Sequence, residues 1–130
     1  MIVLDENFPE SQRQLLRRWG FRIHQVGYEV GRKGLKDNEI IPLLFQLRFP
    51  TFFSLDSDFY KPKYCHSRCC LVYVNVSQSE AAYFIRRFLK HSEYETKNKR
   101  RGSVLRISHI GISVWRLHSE KEEFINWVNK

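Results

Sequence analysis

The residues in this chain best suited to chemistry are carboxylates placed where apolar runs end. Leu55-Asp56-Ser57-Asp58-Phe59 closes the run Thr51-Phe52-Phe53-Ser54, so two acids stand one residue apart where a buried strand would finish. Asp5-Glu6-Asn7 closes the run Met1-Ile2-Val3-Leu4, and Asp37-Asn38-Glu39 opens a helical pattern. Carboxylates that meet in space can hold a hard divalent ion through their oxygens. Each acid also has a structural reading. Asp5 can cap the helix beginning near Pro9, Asp37 can cap its own helix, and Asp56 with Asp58 can form an Asx-turn.

The elements that must position these acids can be taken in order. Ile2–Leu4 has the pattern of a short buried strand. Leu15, Leu16 and Trp19 mark one face of a first helix that stops at Gly20. Phe21–Val26 alternates as a half-exposed strand does, and a basic loop with three glycines (Gly27, Gly31, Gly34) follows. That loop lacks the spacing and the Lys-Ser/Thr ending of a phosphate loop. Ile40, Ile41, Leu43, Leu44 and Leu47 give a second helix, with Asp37 as its expected N-cap and Pro42 near the end of its first turn. Thr51–Leu55 and Cys70–Val76 read as strands. Ser77 and Glu80 form a capping box for a third helix striped by Ala81, Phe84, Ile85, Phe88 and Leu89. Two more strands, Val104–Ile107 and Ile112–Leu117, precede an expected amphipathic helix over Glu120–Asn129.

Strands alternating with helices predict one α/β domain over residues 1–130, built on a parallel sheet with helices on both faces and a β-β-α extension from about residue 103. In such sheets ligands lie beyond the carboxyl ends of the strands. Asp5 and the Asp56/Asp58 pair share that side. Strand order puts Asp37 on the opposite side, unless the long glycine loop returns the helix start to the carboxyl ends.

Hydrophobic residues at 42% argue against a disordered chain, and with 22 basic and 14 acidic residues the net charge is +8, which suits a polyanionic partner. Solubilising surface charge is the plain alternative. No apolar run approaches the ~20 residues of a membrane span, and the opening Met-Ile-Val-Leu-Asp lacks the marks of a signal peptide, so a cytoplasmic protein is expected. The three cysteines, Cys65, Cys69 and Cys70, are too crowded beside His66 for one tetrahedral zinc site and read as buried thiols. His24, His66, His91, His109 and His118 show no ligand spacing, and no nucleophile–histidine arrangement stands out.

The motifs Met1-Ile-Val-Leu-Asp-Glu-Asn-Phe-Pro, Gly34-Leu-Lys-Asp-Asn-Glu-Ile and Thr51-Phe-Phe-Ser-Leu-Asp-Ser-Asp-Phe together resemble the PIN-like proteins of toxin–antitoxin systems, relatives of the VapC-type toxins and of the Mut7-C domain. The resemblance covers roughly residues 1–76. It implies a Rossmann-like fold and an RNA-cleaving toxin with Mg²⁺ or Mn²⁺ held by Asp5, Asp37, Asp56 and Asp58. Glu6, Asn7 and Glu39 would support those ligands. Arg86, Arg87, Lys97, Lys99, Arg100 and Arg101 would guide RNA. A small antitoxin protein and a second copy of the chain are the expected protein partners. Leu55 and Ser57 depart from the residues usual around the paired acids, and residues beyond about 77 carry no motif of the family. A non-catalytic nucleic-acid- or partner-binding protein on the same fold is the alternative.

Overall fold

The structure, a computed structural model, describes residues 1–127. Four α-helices and seven strands follow one another along these residues: β1 (Ile2–Leu4), α1 (Glu10–Arg18), β2 (Ile23–Gln25), α2 (Asp37–Phe45), β3 (Thr51–Ser54), β4 (Cys70–Val74), α3 (Ala81–Leu89), α4 (Lys97–Arg100), β5 (Ser103–Ile107), β6 (Gly111–Arg116) and β7 (Glu123–Asn126). The strands form one sheet in the order β2-β1-β3-β4-β5-β6-β7. The first five run parallel, and β6 and β7 are antiparallel. The chain therefore leaves β1 in one direction to β2 and returns past it to β3. That reversal of strand order lies between β1 and β3, where open α/β sheets place their ligands.

Register divides the core in two. Leu4, Phe53, Val72 and Leu105 stand side by side and face Leu16 of α1 and Ile85 and Phe88 of α3. Their neighbours Val3, Phe52, Leu71 and Val104 face Ile40 and Leu44 of α2 on the other side. Both faces are covered, which is why these strands are continuous apolar runs rather than alternating ones. Cys69 and Cys70 are buried and Cys65 is half-buried, all as free thiols. Burial pushes the Cys69 thiol up to about 11. Among the described residues no helix is long and apolar enough to cross a membrane.

The segment expected as a terminal helix is β7, paired with β6 from Gly111↔Asn126 to Val114↔Glu123; Val128 and Asn129 lie outside the described residues. A strand wins because β6 presents unpaired backbone groups that a helix would leave unmatched, and Phe124, Ile125 and Trp127 serve an alternating pattern as well as a helical one. The helix Asp37–Phe45 begins one residue earlier than a cap at Asp37 requires, with Lys36 at the cap position, so Pro42 sits inside it. The missing N–H leaves the exposed Asn38 carbonyl without its helical partner.

Candidate functional site

β1 and β3 end side by side, Leu4 opposite Phe53, and the ladder continues one step as the Asp5 amide donates to the Phe53 carbonyl at 2.9 Å. Asp5 is thus fixed beside the exit of β3. The next residues of β3 turn at once. Asp56 accepts the Asp58 amide on Oδ1 at 2.9 Å and so caps a single 3₁₀ turn, Ser57–Phe59. Phe59, fully buried against Phe52, anchors that turn to the sheet. The Asx-turn reading of Asp56 is therefore realised, and it aims the acids rather than hiding them, since Asp56 and Asp58 are exposed.

Asp37 joins them. One carboxylate oxygen from each of Asp37, Asp56 and Asp58 lies within 4.8 Å of the others. The expectation that strand order separates Asp37 from this side fails for a simple topological reason. β2 is parallel to β1, so it ends at the carboxyl rim of the sheet. A crossover helix starts where the preceding strand ends and then runs back. The loop after β2 stays on that rim. Its Gly34 amide donates to Glu6 Oε1 at 2.8 Å, and Gly31, with φ 62°, packs so close to Leu43 that a Cβ would stand 2.8 Å from its side chain. Glu39 Oε1 accepts the Lys36 amide at 2.9 Å and caps α2, which leaves the Asp37 carboxylate free of that duty.

Asp5 stands apart from the close trio. Its Oδ1 accepts the Glu6 amide at 2.8 Å and its Oδ2 accepts the Ser54 hydroxyl at 2.6 Å. Ser54 Oγ in turn accepts the Asp56 amide at 3.0 Å. The buried serine therefore ties Asp5 to the backbone of Asp56. Burial raises the Asp5 carboxyl above its ordinary range, against the lowering effect of Ser54 and Glu6, and the charges of Asp56 and Glu6 raise it further. Burial also raises Asp37, followed by repulsion from Asp56, Asp58 and Asp5. Asp37 thus feels the charges of the other three acids, and Asp5 that of Asp56, although only three are in the close group. A small cleft of about 230 Å³ adjoins them, bordered by Asp5, Asn7, Ser54, Asp56 and Gln78.

The donor set suits a hard cation. Oxygens around Mg²⁺, each about 2.1 Å from it, stand roughly 3–4 Å apart, so oxygens already within 4.8 Å need only about an ångström of side-chain movement. Glu6 and Glu39 hold the loop and the helix start, as described, and Asn7 borders the cleft. Ser54 and Gln25 were not singled out by sequence. Gln25, buried, donates through Nε2 to the carbonyls of Asp5, Glu6 and Phe8, which fixes the acidic turn after β1. Both are polar residues close to the carboxyl end of an apolar-patterned strand, Gln25 in β2 and Ser54 in β3.

The expected RNA-guiding cations lie elsewhere. Arg100 is 7% exposed, donates through Nε to Thr51 Oγ1 and through a terminal nitrogen to the Tyr94 carbonyl, both at 2.8 Å, and is a core residue. Thr51 begins β3, so α4 sits at the amino rim, a full strand length from the acids. Lys99 is tied to the Ser92 carbonyl at 2.7 Å and to Glu95. Arg86 stacks over Trp19 at 3.8 Å and Arg87 over Trp127 at 4.6 Å, on the outer side of α3. Lys97 and Arg101 remain exposed, at the amino rim. Comparison of the chain with protein-family models, with curated proteins and with solved structures returned no match.

Proposed function

We propose that the chain is a divalent-metal-dependent ribonuclease that hydrolyses RNA phosphodiesters at the carboxyl rim. The observation that carries the reading is the trio Asp37, Asp56 and Asp58, three carboxylates brought within 4.8 Å by two separate chain segments at the reversal of strand order. Asp37, Asp56 and Asp58 would hold Mg²⁺ or Mn²⁺. A bound ion of this kind supplies an activated water and positive charge for the leaving oxygen. Asp5, held by Ser54 and raised by burial, orients the exit of β3 and is placed to accept a proton beside the cleft. The role of toxin, opposed by a small antitoxin, rests on the sequence resemblance to PIN-like proteins.

A second reading, nucleic-acid binding without hydrolysis, is favoured by the hydrogen bonds that already occupy both oxygens of Asp5 and one of Asp56. Two measurements separate the readings. Calorimetric titration with Mn²⁺ should show binding that Asp37→Asn and Asp58→Asn each weaken at least about tenfold. Cleavage of a labelled single-stranded RNA in Mn²⁺ should fall by about 10²–10³ in the same variants, of the order seen when groups stabilising developing charge are removed. Variants that cut at the wild-type rate, or cleavage that survives EDTA, would reject the enzyme reading.

A further inference from the structure

The amino rim of the sheet carries two open clefts that adjoin. One, of about 640 Å³, is bordered by Phe49, Arg68, Arg101, Arg116 and His118. The other, also about 640 Å³, is bordered by Arg22, His24, Arg48 and Arg100. They meet at two pairs of chain neighbours, Arg48-Phe49 and Arg100-Arg101, each of which is divided between them. Apart from His24, within β2, these residues flank the amino ends of parallel strands or the far end of β6: Arg22 precedes β2, Phe49 precedes β3, Arg68 precedes β4, and Arg116 stands opposite Ser103.

The charge here is unbalanced. Among the described residues no carboxylate borders either cleft. Among the described residues, Arg22, Arg48, Arg68, Lys97 and Arg101 form no ion pair, while Arg116 shares Glu123 at 3.4 Å. Phe49 is half-buried beneath two of these cations, with the Arg101 guanidinium 5.4 Å and Lys97 Nζ 5.9 Å from its ring centre. The backbone is also unusual. Phe49 (φ 46°) and His118 (φ 68°) are the non-glycine residues with left-handed backbone among those described, and both border the first cleft. Strain of this kind persists where surrounding structure fixes a surface.

We propose that this double cleft docks the phosphodiester backbone of a single-stranded nucleic acid, at the rim opposite the carboxylates. Planar guanidiniums match phosphate oxygens in pairs, and two adjoining open clefts without carboxylates form a track rather than a pocket. An acidic protein is the less fitting occupant, because a protein interface centres on apolar anchors and the large exposed apolar side chains, Tyr28, Tyr83, Ile110 and Phe124, border neither cleft. This surface goes beyond the hydrolytic reading and does not require it.

Fluorescence anisotropy of a labelled single-stranded RNA of about 20 nucleotides, with the full chain in EDTA, tests the surface without cleavage. The double variant Arg68→Glu/Arg101→Glu should bind at least about tenfold more weakly. The slope of log affinity against log salt should fall by about 1.4, roughly 0.7 for each phosphate no longer neutralised. Arg86→Gln/Arg87→Gln, on the outer side of α3, should bind within about twofold of wild type. If the charge-reversed protein does not fold, Arg48→Gln/Arg68→Gln serves and should lose both affinity and slope. Unchanged affinity in the amino-rim variants, an equal loss in the α3 variant, or displacement of the RNA by poly-glutamate at equal charge would each overturn the proposal. Loss of Mn²⁺ cleavage in the Asp variants with intact RNA binding would leave this surface standing, and the converse would leave the catalytic site standing.

Discussion

The two rims of one sheet treat charge in opposite ways. At the carboxyl rim, acids are drawn together against their own repulsion, and hydrogen bonds fix the turns that bear them. Ser54, Gln25 and the amides of Glu6 and Asp58 hold Asp5 and the Asp56 turn in place. At the amino rim, cations spread along open clefts, and among the described residues only Arg100 is built into the interior. Crowded, oriented carboxylates suit a small hard cation; dispersed guanidiniums, most of them without an ion pair, suit an extended anion. Residue type therefore says little until the degree of restraint is known, and the neighbours Arg100 and Arg101 make the point within one step of chain.

That pair gives the sharpest test of the contrast. Arg100→Ala should cost about 2–3 kcal/mol, because it leaves the Thr51 hydroxyl and the Tyr94 carbonyl without a charged donor in the core. Arg101→Ala should cost under about 0.5 kcal/mol, the usual range for a surface position. Urea denaturation of both variants measures the difference, and equal losses would erase the distinction between restrained and free cations. At the carboxyl rim, Glu39→Ala should cost about 1 kcal/mol through loss of the cap on the Lys36 amide, and Glu39→Gln, which keeps the acceptor, should recover most of it. A Glu39→Ala protein of unchanged stability would show that the start of α2 is held by other means.

The smallest effect carries the sign of the repulsion. Asp37 has a folded-state pKa above its ordinary 3.8, so the folded chain takes up this proton more readily than the unfolded chain. The group is therefore least costly below 3.8 and becomes destabilising as pH rises through the raised value. In EDTA at neutral pH, Asp37→Asn should raise Tm by about 1–3 °C, a few tenths of a kcal/mol after solvent screening. The gain should vanish in acid below 3.8. Excess Mn²⁺ should stabilise wild type more than the variant. A variant less stable than wild type at neutral pH in EDTA would mean that Asp37 has a favourable contact outweighing its acidic neighbours.

Much of the architecture was legible because the strands are buried on both faces. Cys70–Val74 is an unbroken run of apolar and aromatic residues, and Phe52-Phe53 stands between Pro50 and the acidic turn, which leaves little room for another pattern. The last strand was not legible, because Phe124 to Trp127 fits two periods and only the vacant edge of β6 selects between them. Asp56 and Asp58 could be placed at a strand end from sequence. Strand order sends Asp37 to the wrong rim only when its helix is treated as if it began where the next strand begins. The clustering of basic residues from Lys97 to Arg101 conceals a division that depends on Tyr94 and Thr51, six and 49 positions from Arg100. Separations of that kind leave no local signal.

α1, α2 and α3 each follow a strand that ends at the carboxyl rim and precede one that starts at the amino rim. All three therefore point their N-termini toward the acids and their C-termini toward the arginines. Each helix presents partial positive charge at its start and partial negative charge at its finish. The backbone field thus opposes the side-chain field at both rims, softening the crowding of Asp37, Asp56 and Asp58 and, at the other end, of Arg48 and Arg101. The chain's connectivity alone makes either concentration of like charge less costly to keep.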